Sequence, residues 1–236
     1  GEESEKSFQK TKEEILKTIR KSAENPAIPF AVFKVTGIFQ SELLEKAQTE
    51  AELSEEEQEL FDHSKDLLIE ICELAHALNV RLFIDAEESW IQTTIDQLTY
   101  EMMAKYNQKT AIIYNTFQMY RHDMLVNLKE AIDAAKEENY FLGVKLVRGA
   151  YLEKERQKAH DDEYSEPLHV CKEDTDRDYD LGVELCLKHV DHVHFCMGTH
   201  NEASCLRLCD AMNALQIPSN HPNIYFAQLL GISDNI

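Results

Sequence analysis

Val80–Asn115 reads VRLFIDAEESWIQTTIDQLTYEMMAKYNQKTAIIYN, and this stretch decides the fold. It opens on an apolar run of strand length, Val80–Ile84, and passes through the acids of Asp85-Ala86-Glu87-Glu88-Ser89. An amphipathic helix over 90–106 follows, and the stretch closes on a second apolar run, Thr110–Tyr114. A strand, a helix and a strand in that order pair in parallel through a right-handed crossover. The runs are apolar throughout rather than alternating, as in strands covered on both faces.

The same unit recurs on either side. Upstream, the sequence predicts a helix over 5–22, a strand at Phe30–Val35 ended by Gly37, and a helix from the capping box at Ser54 to about Ala77. Downstream it predicts a helix near 118–138, a strand at Gly143–Val147 and a charged helix from about Glu153. Residues 161–174 read as an exposed polar loop, before a helix near 175–189, a strand at His192–Met197, a helix from Glu202 to about Leu215 and a strand at Ile224–Gln228.

Two architectures fit, a doubly wound open sheet or a (β/α)8 barrel. No glycine-rich nucleotide fingerprint follows any strand, which removes the main signature of the open sheet. Polar residues gather instead at the C-terminal ends of the strands: Lys34, then Asp85 and Glu87, Asn115, Lys145 and Arg148, Thr199-His200-Asn201, and Gln228. A barrel active site is built from such strand ends. The expectation is a single α/β domain over 1–236 of TIM-barrel type. Six strands with a helix before the first and none after the last suggest that the first and last barrel strands are absent.

Composition narrows the function. The 236 residues carry 24 Lys+Arg against 44 Asp+Glu, a formal net charge of −20, which disfavours a nucleic-acid partner. No apolar run is long enough to span a bilayer. The six cysteines form no CxxC pair and read as reduced thiols.

Individual motifs admit more than one reading. Asp85-Ala86-Glu87-Glu88-Ser89 reads equally as a helix cap with first-turn acids or as a general acid/base site. Lys145 and Lys34 each put a cation into an apolar strand, and burying such a charge unpaired costs several kcal/mol, so both should meet an anion. Arg148 followed by Gly149 suggests a cation beside a close backbone approach, as a phosphate or flavin edge requires. His192, His194, Cys196 and His200 share strand parity; packing is the simpler reading and a zinc site the sharper one.

Taken together, FKVTG (33–37), IDAEESW (84–90), YNTFQMYRHD (114–123), KLVRGAYLEKER (145–156), GTHNE (198–202) and YFAQLLG (225–231) resemble the proline dehydrogenase family. The resemblance implies a (β/α)8 barrel holding FAD, with oxidation of L-proline to Δ1-pyrroline-5-carboxylate by hydride transfer to flavin N5. It also implies electron transfer to membrane quinone, at a mitochondrial inner-membrane face or a bacterial cytoplasmic one. Lys34 then resembles the partner of the substrate carboxylate, Asp85 the active-site aspartate and Lys145 the cation near flavin N5. Tyr151 and Leu229 resemble substrate-pocket residues. Ala86, Asn115, Arg148, Gly149, Ala150, Thr199, His200, Asn201 and Gln228 resemble flavin contacts, and no metal is implied.

Hydroxyproline oxidation is the alternative within the family. An incompetent fragment or binding module that keeps the barrel core is the alternative outside it. The family also carries a final helix whose arginines clamp the carboxylate. A polypeptide ending at Ile236 without it is expected to bind FAD poorly and to turn over little proline, unless these residues are part of a longer chain.

Overall fold

A computed structural model of the chain describes residues 2–229. Residues 230–231 of the YFAQLLG segment and the C-terminal end at Ile236 lie outside the described residues. Helices and strands alternate: α1 (Glu2–Glu24), β1 (Phe30–Lys34), α2 (Ser41–Gln48), α3 (Glu55–Ala77), β2 (Arg81–Asp85), α4 (Ser89–Tyr106) and β3 (Ile113–Gln118). Then come α5 (Met124–Glu137), β4 (Leu142–Val147), α6 (Leu152–Asp161), α7 (Lys172–Lys188), β5 (Val193–Gly198), α8 (Glu202–Ala214) and β6 (Ile224–Ala227). The strands lie in the sheet in chain order, β1-β2-β3-β4-β5-β6, and the pairs β1–β2, β2–β3, β4–β5 and β5–β6 are parallel. This is the α/β order expected of a (β/α)8 fold, with six strands among the described residues. The contacts divide inside β3 into two compact units, Gly1–Asn115 and Thr116–Ile236.

In the first unit, β2 pairs with β1 and β3 in the registers Lys34↔Asp85 and Phe83↔Tyr114. Side chains alternate across a strand, so Phe30, Val32 and Lys34 share a face with Arg81, Phe83, Asp85 and Tyr114. Phe30 stacks on Phe83 at 4.1 Å between centroids, and Tyr114 meets both rings edge-on. The opposite face, with Ala31, Phe33, Leu82, Ile84 and Ile113, is buried with apolar residues of α1, α3 and α4. The capping box at Ser54 forms as expected: Ser54 Oγ accepts from Glu57 N at 3.2 Å, and Glu57 Oε2 accepts from Ser54 N at 3.0 Å.

Two expectations about this unit are corrected. β1 is not apolar and covered throughout: it alternates, with Val32 49% exposed and Lys34 exposed, because its first, third and fifth side chains lie on the open face. Lys34 is therefore not a buried-strand cation. β3 begins three residues later than the apolar run suggests, at Ile113 rather than Thr110. Asn107, wholly buried, clamps its entrance: Oδ1 accepts from Ile112 N and Ile113 N, each at 2.9 Å, and Nδ2 donates to the Ile113 carbonyl at 2.8 Å. The structure also adds a 3-10 turn at Val35–Gly37 and the helix α2, neither of which the sequence pattern announced.

In the second unit, β5 pairs with β4 and β6 through Lys145↔Cys196 and Cys196↔Tyr225. Val144, Leu146, Phe195 and Met197 are buried on one face, and Leu146 lies against Gly182 of α7. Gly143, Lys145, His194, Cys196, Gly198 and Tyr225 take the other. Beyond β3, Met119 N and Tyr120 N donate to the carbonyls of Val147 and Arg148 at 2.8 and 2.7 Å. Most of residues 161–174, expected as an exposed polar loop, are exposed, although the backbone is held at two points. Leu168 forms an isolated antiparallel bridge with Arg121, and His169 N donates to the Tyr120 carbonyl at 2.7 Å. His169 Nε2 lies 2.8 Å from the buried Asp178 carboxylate.

Candidate active site

The strand ends of the first unit gather acids and one lysine. Lys34 and Asp85 are register partners at the ends of β1 and β2, one exposed and the other half-buried. Ala86 is buried directly after them. Glu87, only 3% exposed, accepts from Thr36 N at 2.9 Å and from Thr36 Oγ1 at 2.5 Å. Burial pushes the Glu87 carboxyl above its usual range, and the two Thr36 donors only partly offset it. The cap reading of this acidic run fails at its centre: Glu88 is the N-cap residue of α4, and its side chain makes no cap hydrogen bond.

Asn115 does not end its strand. It lies in the middle of β3 on the face of Ile113, it is 1% exposed, and its Nδ2 donates to Asp96 of α4 at 2.8 Å. The expectation that Asn115 presents its amide at a strand end is therefore corrected, because β3 runs on to Gln118. Gln118 is the residue that the sequence reading missed. It is 3% exposed, and its Oε1 accepts from Ala150 N at 3.0 Å. An amide directly after the Phe117 that ends the apolar stretch was the signal for it.

In the second unit, Arg148 is the hub. Nε donates to Asp176 at 2.6 Å, NH1 to Thr199 Oγ1 at 2.7 Å and NH2 to Ser204 Oγ at 3.0 Å, and the guanidinium lies 4.2 Å from the centroid of the Tyr179 ring. Burial pushes the Asp176 carboxyl up, but hydrogen bonds from Lys172 and Arg148 outweigh it and hold the group below its usual range. Asp176 and Ser204 carried no signal in the sequence, since their meeting with Arg148 depends on the packing of α7 and α8.

Gly149, with φ +145°, crosses the ring of Tyr120, and a Cβ there would lie 2.4 Å from Tyr120 Cγ. The close approach read from the sequence is thus to a tyrosine of this chain. The Gly149 and Ala150 backbone remains exposed. Lys145 is half-buried on the face of Cys196, whose thiol burial pushes up to about 12 with a small opposing pull from Lys145. Tyr151 is half-buried at the N-cap of α6.

Thr199, His200 and Asn201 lead into α8. Asn201 Oδ1 caps the helix by accepting from Ser204 N at 3.1 Å, and Thr199 Oγ1 accepts from Asn201 N at 3.0 Å. His200 Nε2 accepts from Leu229 N at 3.0 Å. A neutral imidazole accepting at Nε2 carries its proton on Nδ1. That Nδ1 is shut off from solvent with no hydrogen-bond partner among the described residues. Gln228 and Leu229 are exposed after β6. The histidine run does not converge: His192 precedes β5, His194 lies within it, and among the described residues no group of three metal-binding side chains forms.

A buried imidazole N–H without an acceptor fits a cofactor oxygen. The N-terminus of α8 and the partly exposed Arg148 beside it fit an anionic one. These residues are thus of the right chemistry for a flavin dinucleotide.

The family model described as proline dehydrogenase matches residues 1–236. This chain belongs to the proline dehydrogenase family. It is 32% identical over 196 residues to the mitochondrial proline dehydrogenase 1 of Drosophila melanogaster, covering 79% of this chain and 29% of that protein. It is 33% identical over 188 residues to the hydroxyproline dehydrogenase of Xenopus laevis, covering 78% and 40%. The crystal structure of proline utilization A (PutA) from Bdellovibrio bacteriovorus, inactivated by N-propargylglycine, superposes with a TM-score of 0.81 at 18% identity. That match covers 95% of this chain and 24% of that one. The chain therefore spans less than half the length of each of these relatives.

Proposed function

We propose that the protein is an FAD-dependent oxidoreductase that converts L-proline to Δ1-pyrroline-5-carboxylate and delivers the electrons to a membrane quinone. The observation that carries this reading is the buried His200 Nδ1, without a hydrogen-bond partner among the described residues, between Thr199, which Arg148 contacts, and the N-terminus of α8, in a chain of the proline dehydrogenase family. FAD, held by these residues, would supply a two-electron acceptor for the hydride of the substrate carbon next to the ring nitrogen.

The residues of this chain bind and orient. Lys34 and Asp85, side by side with opposite charge, match the two charged groups of a zwitterionic amino acid. Lys34 takes the carboxylate and Asp85 the amine, whose proton must leave before the imine can form. Arg148, Gly149 and Ala150 hold the ribityl-phosphate side of the cofactor, and Thr199, His200 and Asn201 the diphosphate. Ala86 and Gln228 border the flavin. Gln118 takes the contact first assigned to Asn115, whose amide is engaged by α4. Lys145 would place positive charge beside the ring of the cofactor that gains electrons. Tyr151 and Leu229 border the substrate and exclude water.

Hydroxyproline oxidation is the second reading, favoured by the likeness to the hydroxyproline dehydrogenase of Xenopus laevis. The mitochondrial name of the Drosophila relative supports a mitochondrial setting, which this reading places at the inner-membrane face, with a bacterial cytoplasmic membrane face as the counterpart. Among the described residues no helix is long and apolar enough to cross a membrane. The test is a visible absorption spectrum of the purified protein with added FAD, before and after L-proline or trans-4-hydroxy-L-proline. Flavin bands that bleach faster with L-proline support the reading, and faster bleaching with the hydroxylated ring selects the second one. A full-length protein that takes up no FAD, or whose flavin neither substrate reduces, overturns both.

A further inference from the structure

We propose that Glu87 is a positioning residue, whose carboxylate clamps the exit of β1 to the end of β2 and thereby holds Lys34 and Asp85 in place for the substrate. The inference rests on the reading of Lys34 as the carboxylate partner. Thr36 and Glu87 each lie two residues beyond the register pair Lys34↔Asp85. One Glu87 oxygen accepts from Thr36 N and the other from Thr36 Oγ1, at 2.9 and 2.5 Å. The pair is thus bracketed on its C-terminal side by a two-point tie between the same two chain segments.

The tie is anchored on the other side too. Glu87 N donates to Gln92 Oε1 at 2.7 Å, and Gln92 Nε2 donates to Asp96 Oδ1 at 2.8 Å. Asp96 Oδ1 also accepts from Asn115 Nδ2 at 2.8 Å. A continuous chain of hydrogen bonds therefore runs from the exit of β1, through the end of β2 and α4, to the middle of β3. Its members are half-buried or buried, where such bonds hold geometry most firmly.

Lys34 ends β1 two residues before Thr36, so its place at the strand end follows the backbone that Glu87 holds. A carboxylate accepting from a backbone N–H and a hydroxyl makes charge-assisted bonds that an alanine cannot replace. Without it, the turn that bears Lys34 loses its tie to β2, and substrate binding weakens while the reacting groups stay unaltered.

The test is a double-mutant cycle in KM for L-proline, with bound flavin and Thr36 amide exchange measured alongside. Glu87→Ala is expected to raise KM about tenfold with kcat nearly unchanged, the signature of lost uniform binding. The Thr36 amide exchanges faster in Glu87→Ala, and Glu87→Gln, which keeps an acceptor for it, restores protection and most of the affinity. Lys34→Ala/Glu87→Ala is expected to be weaker than Lys34→Ala alone by much less than tenfold, since only Asp85 is then left to position. Effects of Lys34→Ala and Glu87→Ala that multiply overturn the inference, as does an unchanged Thr36 exchange rate. A Lys34→Ala variant with unaltered KM instead overturns the reading of Lys34 itself. Should Glu87→Ala not fold, Thr36→Val removes one bond of the tie and carries the same cycle.

Discussion

Gly149 lies across the face of Tyr120, so close that a methyl group on its Cα would sit 2.4 Å from Cγ of the ring. The contact is reinforced by the backbone, since Tyr120 N donates to the Arg148 carbonyl at 2.7 Å. At φ +145° no side chain is comfortable in any case. Gly149→Ala therefore combines backbone strain with overpacking and is expected to destabilise the fold by about 3 kcal/mol in urea titration. Gly149→Ala/Tyr120→Ala removes the steric part of that cost, so the two changes should be strongly non-additive. Simple additivity would show that the ring does not set the requirement for glycine.

Arg148→Lys tests the fork of the guanidinium. The three nitrogens of Arg148 reach Asp176, Thr199 and Ser204, on β4's neighbours α7, the β5–α8 turn and α8, and the plane covers Tyr179. A lysine keeps the charge and loses both the divergent donors and the stack. The variant is expected to lose about 2 kcal/mol of stability and to bind FAD at least tenfold more weakly. Equal flavin affinity in Arg148→Lys would leave charge alone as the requirement.

The raised pKa of Glu87 makes a prediction with a definite sign. A carboxyl whose native pKa lies above its unfolded value of 4.5 contributes stability in full below that value. The contribution is lost as the pH rises through the raised native pKa. Glu87→Gln stays neutral and escapes this loss, so its stability relative to the wild type should climb as the pH is taken from below 4.5 to 7. Denaturant midpoints across that range measure it. A difference independent of pH would mean that Thr36 satisfies the charge completely.

Asn107 offers a test of the β3 entrance. Its side chain serves two backbone donors and one carbonyl in a site closed to water. Asn107→Ala leaves all three without that partner and is expected to cost about 3 kcal/mol, well beyond an exposed Asn→Ala change. Asn107→Asp keeps the acceptor for Ile112 and Ile113 and should lose less if those two bonds dominate.

Much of the fold was open to reading from residue patterns, because the signals involved are local. Apolar runs, helix periodicity and the Ser54 capping box each act within a few residues, and they place α3, α4, β4 and α8 within a residue or two. The polar strand ends and the KLVRGAYLEKER, DAEESW and GTHNE segments pointed to the family that the comparison then showed.

What the residue order left open was which way each side chain faces and what stands opposite it. β3 runs on to Gln118, so Asn115 lies mid-strand with its amide on Asp96 of α4, and Gln118, three residues on and of opposite parity, is the strand-end amide. The exposed face of β1 changed Lys34 from a buried cation into an exposed one. The partner of Gly149 is Tyr120, and that of Glu87 is Thr36, 51 residues away. Such pairings depend on register and on helix docking, which are settled only when distant segments meet.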